Sequence, residues 1–289
     1  MKKIFSILLI AVMSMLAVFT MVGCGDTPDN PSAKGISCIK ENGKYVVYKY
    51  VDEGLGVTEL DIATAVKAKY GETAEVSRIK EGTFDGNSTL VSIVVPNTVT
   101  KIDGGAFKNM KALKDITLPF VGSNVSADAF EGQTLSETKA VDAERLFGYV
   151  FGTTEYVGGA KISQTYNAIE GNASTYYVPM TLRTVTISPK ENYEIPMYAF
   201  SGLTLVTKIN LTDKVTGIGE RAFYNANCFD ELKVPVSVTN IYKGAFENFS
   251  SLSKIDYLGT SAQWEAIAKG ANWNLGVAES FNVKTVAEQ

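Results

Sequence analysis

The sequence predicts a β-rich α/β solenoid of about 23-residue coils, closed by N- and C-terminal caps, and three observations carry that reading. The first is a recurring dipeptide. Ala-Phe stands at Ala106-Phe107, Ala129-Phe130, Ala199-Phe200, Ala222-Phe223 and Ala245-Phe246, with a Thr83-Phe84 copy ahead of them. The steps from Phe84 to Phe107, Phe107 to Phe130, Phe200 to Phe223 and Phe223 to Phe246 are each 23 residues, the length of one coil in a stacked-repeat protein. The second is an apolar frame at fixed offsets before each Phe: Leu90, Ile93, Val95, Val99 and Ile102 align with Phe229, Leu232, Val234, Val238 and Ile241. The third is a residue type. Two positions after each Phe stands Gly86, Asn109, Gly132, Gly202, Asn225 or Asn248, the types that tolerate a positive φ, so every coil should turn left-handed there.

At the N-terminus, Lys2-Lys3 precede an apolar run from Ile4 to about Met21, broken only by Ser6, Ser14 and Thr20, which reads as a secretion signal over residues 1–23. It ends in Met21-Val22-Gly23-Cys24, which resembles the lipobox of bacterial lipoproteins, with Met where Leu is usual. That resemblance implies cleavage before Cys24, lipidation of its sulfur and a lipid-held position outside the cytoplasmic membrane, because two or more acyl chains anchor stably. An uncleaved membrane-spanning anchor is the other reading of the same run. Residues 24–35 are polar and rich in Pro and Gly, as a flexible tether should be. Residues 36–73 hold a strand-like Tyr45–Val51 and a helix-compatible Asp61–Tyr70, and read as the N-terminal cap that shields a first open coil.

The solenoid proper runs over residues 74–257. Alternation in Ile-x-Val-Pro and in the following Val-Thr-x-Ile gives short strands with one buried face, and Pro ends the first of them. The Ala before each Phe lets coils approach, while Phe can stack on the Phe of the next coil. No coil can bury its apolar face alone, so the stack is the folding unit. Units reading roughly L-x-x-I-x-I-P-x-x-V-T-x-I-x-x-x-A-F resemble the BspA-like leucine-rich-repeat family of bacterial surface proteins. The resemblance covers about Val76–Tyr257 and extends into Ile255–Trp264, which looks like that family's closing segment. The chain departs from the family in carrying Met110, Ala226 and Phe249 where Cys is often found three residues after Phe; these are apolar, as a packing position requires.

The repeat is interrupted between Phe130 and Phe200 by an aromatic-rich insertion over about residues 131–181. Phe147, Tyr149, Phe151, Tyr156, Tyr166, Tyr176 and Tyr177 fall within it, and Leu146–Phe151 and Tyr176–Pro179 read as strands. It is either an elaborated lobe that presents aromatic rings to a partner or a set of degenerate coils. The C-terminal cap, residues 258–289, should hold a short amphipathic helix over Ser261–Lys269, with Ser261 as N-cap and Trp264, Ile267 and Ala268 inward. Trp273 and a strand at Phe281-Asn282-Val283 complete it.

Composition limits the chemistry. The 289 residues are 45% hydrophobic and 20% charged with a formal charge of −4, and no basic patch invites nucleic acid. The chain has no His, so neither a Ser-His-Asp or Cys-His site nor a His-ligated metal is available, and no metal or cofactor is expected. Carboxylates at equivalent repeat positions, such as Asp115 and Glu231, suit a glycosidase pair only if the fold brings them together. Cys38 and Cys228 sit at opposite ends of the array, too far apart to join, and are expected to be thiols.

If Ile93 and Val95 point inward, Ser92 and Val94 point outward. The equivalent ladder runs through Asp115 and Thr117, Thr184 and Thr186, Lys208 and Asn210, Glu231 and Lys233, and Lys254 and Asp256. This is the candidate binding surface, suited to hydrogen bonding with an extracellular protein or glycan and equally to plain solubility. The family resemblance implies adhesion or host interaction. A non-catalytic scaffold that organises proteins of its own cell envelope is the alternative.

Overall fold

The computed structural model describes residues 34–125, 143–169 and 171–286. The signal segment, Cys24, most of the tether, Ala129-Phe130, Gly132 and the start of the insertion lie outside the described residues. The chain enters through an antiparallel hairpin of β1 (Gly35–Glu41) and β2 (Lys44–Val51), turning at Asn42 and Gly43, both with positive φ. β1 begins inside the segment read as tether. β3 (Glu59–Asp61) follows, then helix α1 (Ile62–Tyr70), for which Asp61 is the N-cap: its carboxylate accepts from the Thr64 N–H at 2.8 Å.

Two sets of strands then alternate along the chain. β4 (Val76–Ile79) and β6 (Lys101–Ile102) extend the hairpin into a four-stranded sheet of order β1-β2-β4-β6. Between and after them, β5 (Ser92–Val94) and β7 (Asp115–Leu118) pair in parallel with each other, and β5 with β3. Past the insertion come β10 (Thr184–Ile187), β12 (Lys208–Leu211), β14 (Glu231–Val234), β16 (Lys254–Thr260) and β18 (Asn282–Val286), which complete an eight-stranded sheet in the order β18-β16-β14-β12-β10-β7-β5-β3. β11 (Tyr193–Ile195), β13 (Val215–Ile218), β15 (Asn240–Ile241) and β17 (Ala268–Lys269) form a second four-stranded sheet. Ile93, Ile116, Val185, Ile209, Leu232 and Ile255 of the long sheet all point into the core, as the alternation requires.

The third side of each coil is the Ala-Phe turn. Phe84, Phe107, Phe200, Phe223 and Phe246 are all buried, and Phe84–Phe107, Phe200–Phe223 and Phe223–Phe246 stack at 5.3, 5.1 and 5.3 Å between centroids. Each Phe N–H donates to the carbonyl one coil on, as in Phe200 to Ala222 at 2.7 Å and Phe223 to Ala245 at 2.8 Å. Thr83 fits the Ala column because its buried hydroxyl donates to the Lys80 carbonyl at 2.7 Å. All five described residues named for the left-handed turn have it: φ is 77° at Gly86, 60° at Asn109, 62° at Gly202, 54° at Asn225 and 60° at Asn248.

The insertion differs from expectation. Leu146–Phe151 contains no strand but a 3-10 helix, Phe147–Phe151. Phe147, Gly148, Val150 and Phe151 are buried and only Tyr149 is half-buried, so the segment does not show the alternate exposure of a half-buried strand. It stands where a coil's Ala-Phe turn would. Phe107 donates to the Val150 carbonyl and Phe147 to the Ala199 carbonyl, each at 2.9 Å, so this short helix joins the coils on either side. β8 (Gly159–Thr165) and β9 (Ala173–Pro179) then form an antiparallel hairpin, and Tyr176–Pro179 is strand as read. Gln164 ties the hairpin down: its buried amide accepts from Gly148 N–H at 2.6 Å and donates to the Ser201 and Ala199 carbonyls at 3.0 and 3.3 Å.

At the C-terminal end, helix α2 spans Ser261–Ala266 and its N-cap is Thr260, not Ser261. Thr260 closes a capping box with Gln263, whereas the Ser261 hydroxyl is bonded to that of Thr285 at 2.8 Å. Trp264 and Ile267 are buried as expected, but Ala268 is exposed because the chain has already left the helix for β17.

Truncation of a ring in the middle of the column, Phe223→Ala, should cost about 3–5 kcal/mol in equilibrium chemical unfolding. Gln164→Leu should also destabilise, by about 1–3 kcal/mol for each buried backbone group it leaves without a partner.

Candidate binding surface

The outward residues of the long sheet form two rows in direct register. One runs Asp61, Val94, Thr117, Thr186, Asn210, Lys233, Asp256, Lys284 across all eight strands. The other places Glu59, Ser92, Asp115, Thr184 and Lys208 side by side, and continues through Glu231, Lys254 and Asn282. At about 4.8 Å per strand the rows span roughly 34 Å. Every expected ladder residue lies in one of these rows and is partly or fully solvent-exposed. Glu59, Asp61, Asn282 and Lys284 extend the ladder at both ends and were missed, because their strands lack the Phe frame. Their own alternation, Glu59-Leu60-Asp61 and Asn282-Val283-Lys284, carries the signal.

Charge along the surface is polarised. Glu59, Asp61 and Asp115 stand at the N-terminal end, neutral Thr117, Thr184 and Thr186 in the middle, and Lys208, Lys233, Lys254 and Lys284 with Glu231 and Asp256 at the C-terminal end. Lys254 Nζ lies 2.9 Å from Glu231 Oε2, and that hydrogen bond lowers the Glu231 carboxyl below its usual range. Asn210 donates to Thr186 Oγ1 at 3.2 Å. These side chains are held in order yet keep hydrogen-bonding capacity toward solvent.

The aromatic residues of the insertion do not form a comparable surface. Phe147, Phe151, Tyr166 and Tyr176 are buried. Phe151 packs 6.3 Å from Phe107 and Phe147 5.5 Å from Phe200, so both serve the column and neither serves a partner. The Tyr176 hydroxyl donates to the Ala143 carbonyl at 3.0 Å, and burial pushes its pKa up to about 12. Tyr149 and Tyr156 are half-buried, and Tyr177 donates to Glu155 Oε2 at 3.3 Å. Four of the seven rings are thus buried in the core, and Tyr149, Tyr156 and Tyr177 stay half-exposed at its edge.

Catalytic geometry does not assemble from the residues named for it. Asp115 and Glu231 lie on strands three spacings apart, roughly 14 Å, beyond the about 5–9.5 Å a glycosidase pair uses. Among the described residues no group of three or more His, Cys, Asp or Glu is placed to hold a metal. No disulfide joins Cys38 and Cys228, and burial pushes the Cys228 thiol up to about 12.

Comparison with known proteins agrees with the coil geometry. A family model described as a BspA type leucine-rich repeat region matches residues 77–187 and 172–271, in six copies. Solved structures similar to the chain include a leucine-rich cell surface protein from Faecalibacterium prausnitzii, at 20% identity and TM-score 0.32 over 82% of this chain and 42% of that one. The chain thus spans less than half of that protein. A leucine-rich repeat protein of T. pallidum matches at 14% identity and TM-score 0.39 over 86% and 90% of the two chains. One from Bacteroides ovatus matches at 14% and 0.30 over 89% and 77%. No curated protein matches the chain.

The raised thiol has a direct consequence. Alkylation of Cys228 at pH 8 should be at least about tenfold slower in the folded protein than in denaturant, because less of the raised thiol is present as thiolate, read by mass spectrometry of the labelled peptide.

Proposed function

Because the chain belongs to the BspA-type leucine-rich repeat family, we propose that it is a non-catalytic binding protein of the bacterial cell surface, which holds an extracellular protein or glycan against the outer face of its eight-stranded sheet. One observation carries this reading. The chain absorbs a long insertion between β7 and β10, yet Asp115 pairs directly with Thr184 and Thr117 with Thr186, so the outer face runs on without a break. Among the described residues the strands on the other side of the coils form two separate four-stranded sheets, one before the insertion and one after it. A fold that needed only stability could break either sheet; a fold that binds along one face must keep that face whole.

Anchorage belongs to the same proposal. Lys2-Lys3, the apolar run and Met21-Val22-Gly23-Cys24 support export, cleavage before Cys24 and attachment through lipid on its sulfur, with residues 25–33 as tether. Among the described residues no helix is long and apolar enough to cross a membrane. Display on a tether suits adhesion, and mixed charge with small polar residues suits a hydrogen-bonded interface in which a few rungs dominate.

Soluble chain from residue 25 to 289 should bind saturably to at least one member of an array of matrix proteins, glycans and bacterial surface fractions. Replacement of Lys208, Glu231, Lys233 and Lys254 by Ala should abolish that binding while thermal unfolding stays close to the parent. Binding retained by this variant would move the interface off the ladder. No binding, together with an envelope defect on deletion, would identify a scaffold for the cell's own surface proteins.

A further inference from the structure

A second left-handed position recurs in the described coils, two residues before each of the five described Phe residues of the column. Gly82, Gly105 and Gly244 hold it with φ of 66°, 69° and 59°, as expected of the one residue without a Cβ. In two successive coils the same position is Tyr198, φ 57°, and Arg221, φ 50°. Both side chains impose a backbone cost that Gly at the equivalent places does not bear, and strain of this kind marks places where a side chain is needed.

Both side chains go to one place. Tyr198 and Arg221, with Tyr224 and Asn225 of the next turn and Thr165 and Asn167 of the inserted hairpin, line a cavity of about 420 Å³, within the about 300–1,000 Å³ of small-molecule sites. The rings of Tyr198 and Tyr224 meet edge to face at 6.0 Å and 82°. The Arg221 guanidinium lies 5.8 Å from the Tyr224 centroid, donates through Nε to Glu247 at 2.8 Å, and through Nη1 reaches Glu220 at 3.3 Å and the Tyr198 hydroxyl at 3.5 Å. Its orientation is thus set before any ligand arrives. Ile169, 60% exposed, stands on the hairpin loop at the rim.

We infer that this cavity is a binding site for a neutral sugar ring, separate from the ladder and on the Ala-Phe side of the coils. Two carboxylates already neutralise the guanidinium, so the site offers no net positive charge to a phosphate, sulfate or carboxylate. What it offers is the half-buried ring of Tyr224 for the C–H face of a sugar, with Tyr198, 2% exposed, packed edge to face against it as support, together with amide, hydroxyl and guanidinium groups for hydroxyls around its edge. The cavity lies between the inserted hairpin and the turns of the two coils in which a side chain stands in place of Gly.

The test is titration of the full chain with galactose, glucose, N-acetylglucosamine and their β-linked disaccharides, with sialic acid and glucuronate as anionic controls, followed by ligand-observed NMR and calorimetry. At least one neutral probe should bind saturably. Tyr224→Ala should weaken it by about tenfold or more. Arg221→Gly, which restores the residue type of three other coils, should lose binding comparably while its thermal melt and circular dichroism remain those of a folded solenoid. The fourfold ladder variant should bind the sugar as the parent does. The inference is overturned if no neutral probe binds, if only the anionic controls bind, or if both Tyr224→Ala and Arg221→Gly bind unchanged.

Discussion

A coil of this chain can bury its apolar side only against the next coil, and the column of aromatic rings is the contact that enforces this. It runs without a gap from Tyr50 in the N-terminal hairpin through Phe84, Phe107, Phe151, Phe147, Phe200, Phe223 and Phe246 to Trp273, with neighbouring centroids between 5.1 and 6.3 Å apart. Beside it the Phe amides donate from coil to coil. Register in the column sets register in the strands, and strand register aligns the outward side chains into rows. The outward ladder is therefore a by-product of ring stacking: move one ring by one residue and its strand turns the wrong face outward.

The price of the insertion falls on the side of the coils that carries the two four-stranded sheets, and particular residues show how. Val125 occupies the place of Ile102 one period on, yet is 46% exposed, because no second-sheet strand forms there. Gly122 stands where Val99 and Val238 fill the core in other coils. A Cβ on it would collide with the carbonyl of Glu144, where the chain returns from the insertion and accepts a hydrogen bond from Ser123 N–H at 2.8 Å. Tyr193, buried on the first strand of the sheet that follows the insertion, accepts from Val121 N–H at 2.9 Å, and its desolvated hydroxyl is held far above the usual tyrosine range. All of these adjustments lie away from the ladder.

Much of this was legible in the sequence because it is periodic. The Phe spacing, the Gly or Asn two residues later and the inward Ile, Val and Leu each recur, and recurrence separates a structural requirement from chance. The parts that were not legible occur once. Nothing in the spacing says that Val150-Phe151 and Phe147, rather than another aromatic pair, would serve the neighbours Phe107 and Phe200. The position two before Phe was available but unread, since Tyr198 and Arg221 conceal a column that Gly82, Gly105 and Gly244 reveal. Thr260 was passed over as an N-cap because its partner Gln263 is polar and falls outside the apolar pattern. For the 3-10 helix and the Thr260 cap, the deciding contacts join residues that no repeat relates.

Everything proposed for the surface depends on the stack being continuous across the insertion, and native-state hydrogen exchange reads that continuity directly. The amides to follow are Phe107 and Phe147, which donate into and out of the 3-10 helix, and Thr184 and Ser188, which donate to Lys114 and Leu118 across the β7–β10 seam. A single cooperative unit requires these amides to exchange with the same high protection as those of Phe200 and Phe223. If they exchange early, and the coils before and after the insertion open as two independent units, the seam is not a structural joint and the uninterrupted face does not exist in solution.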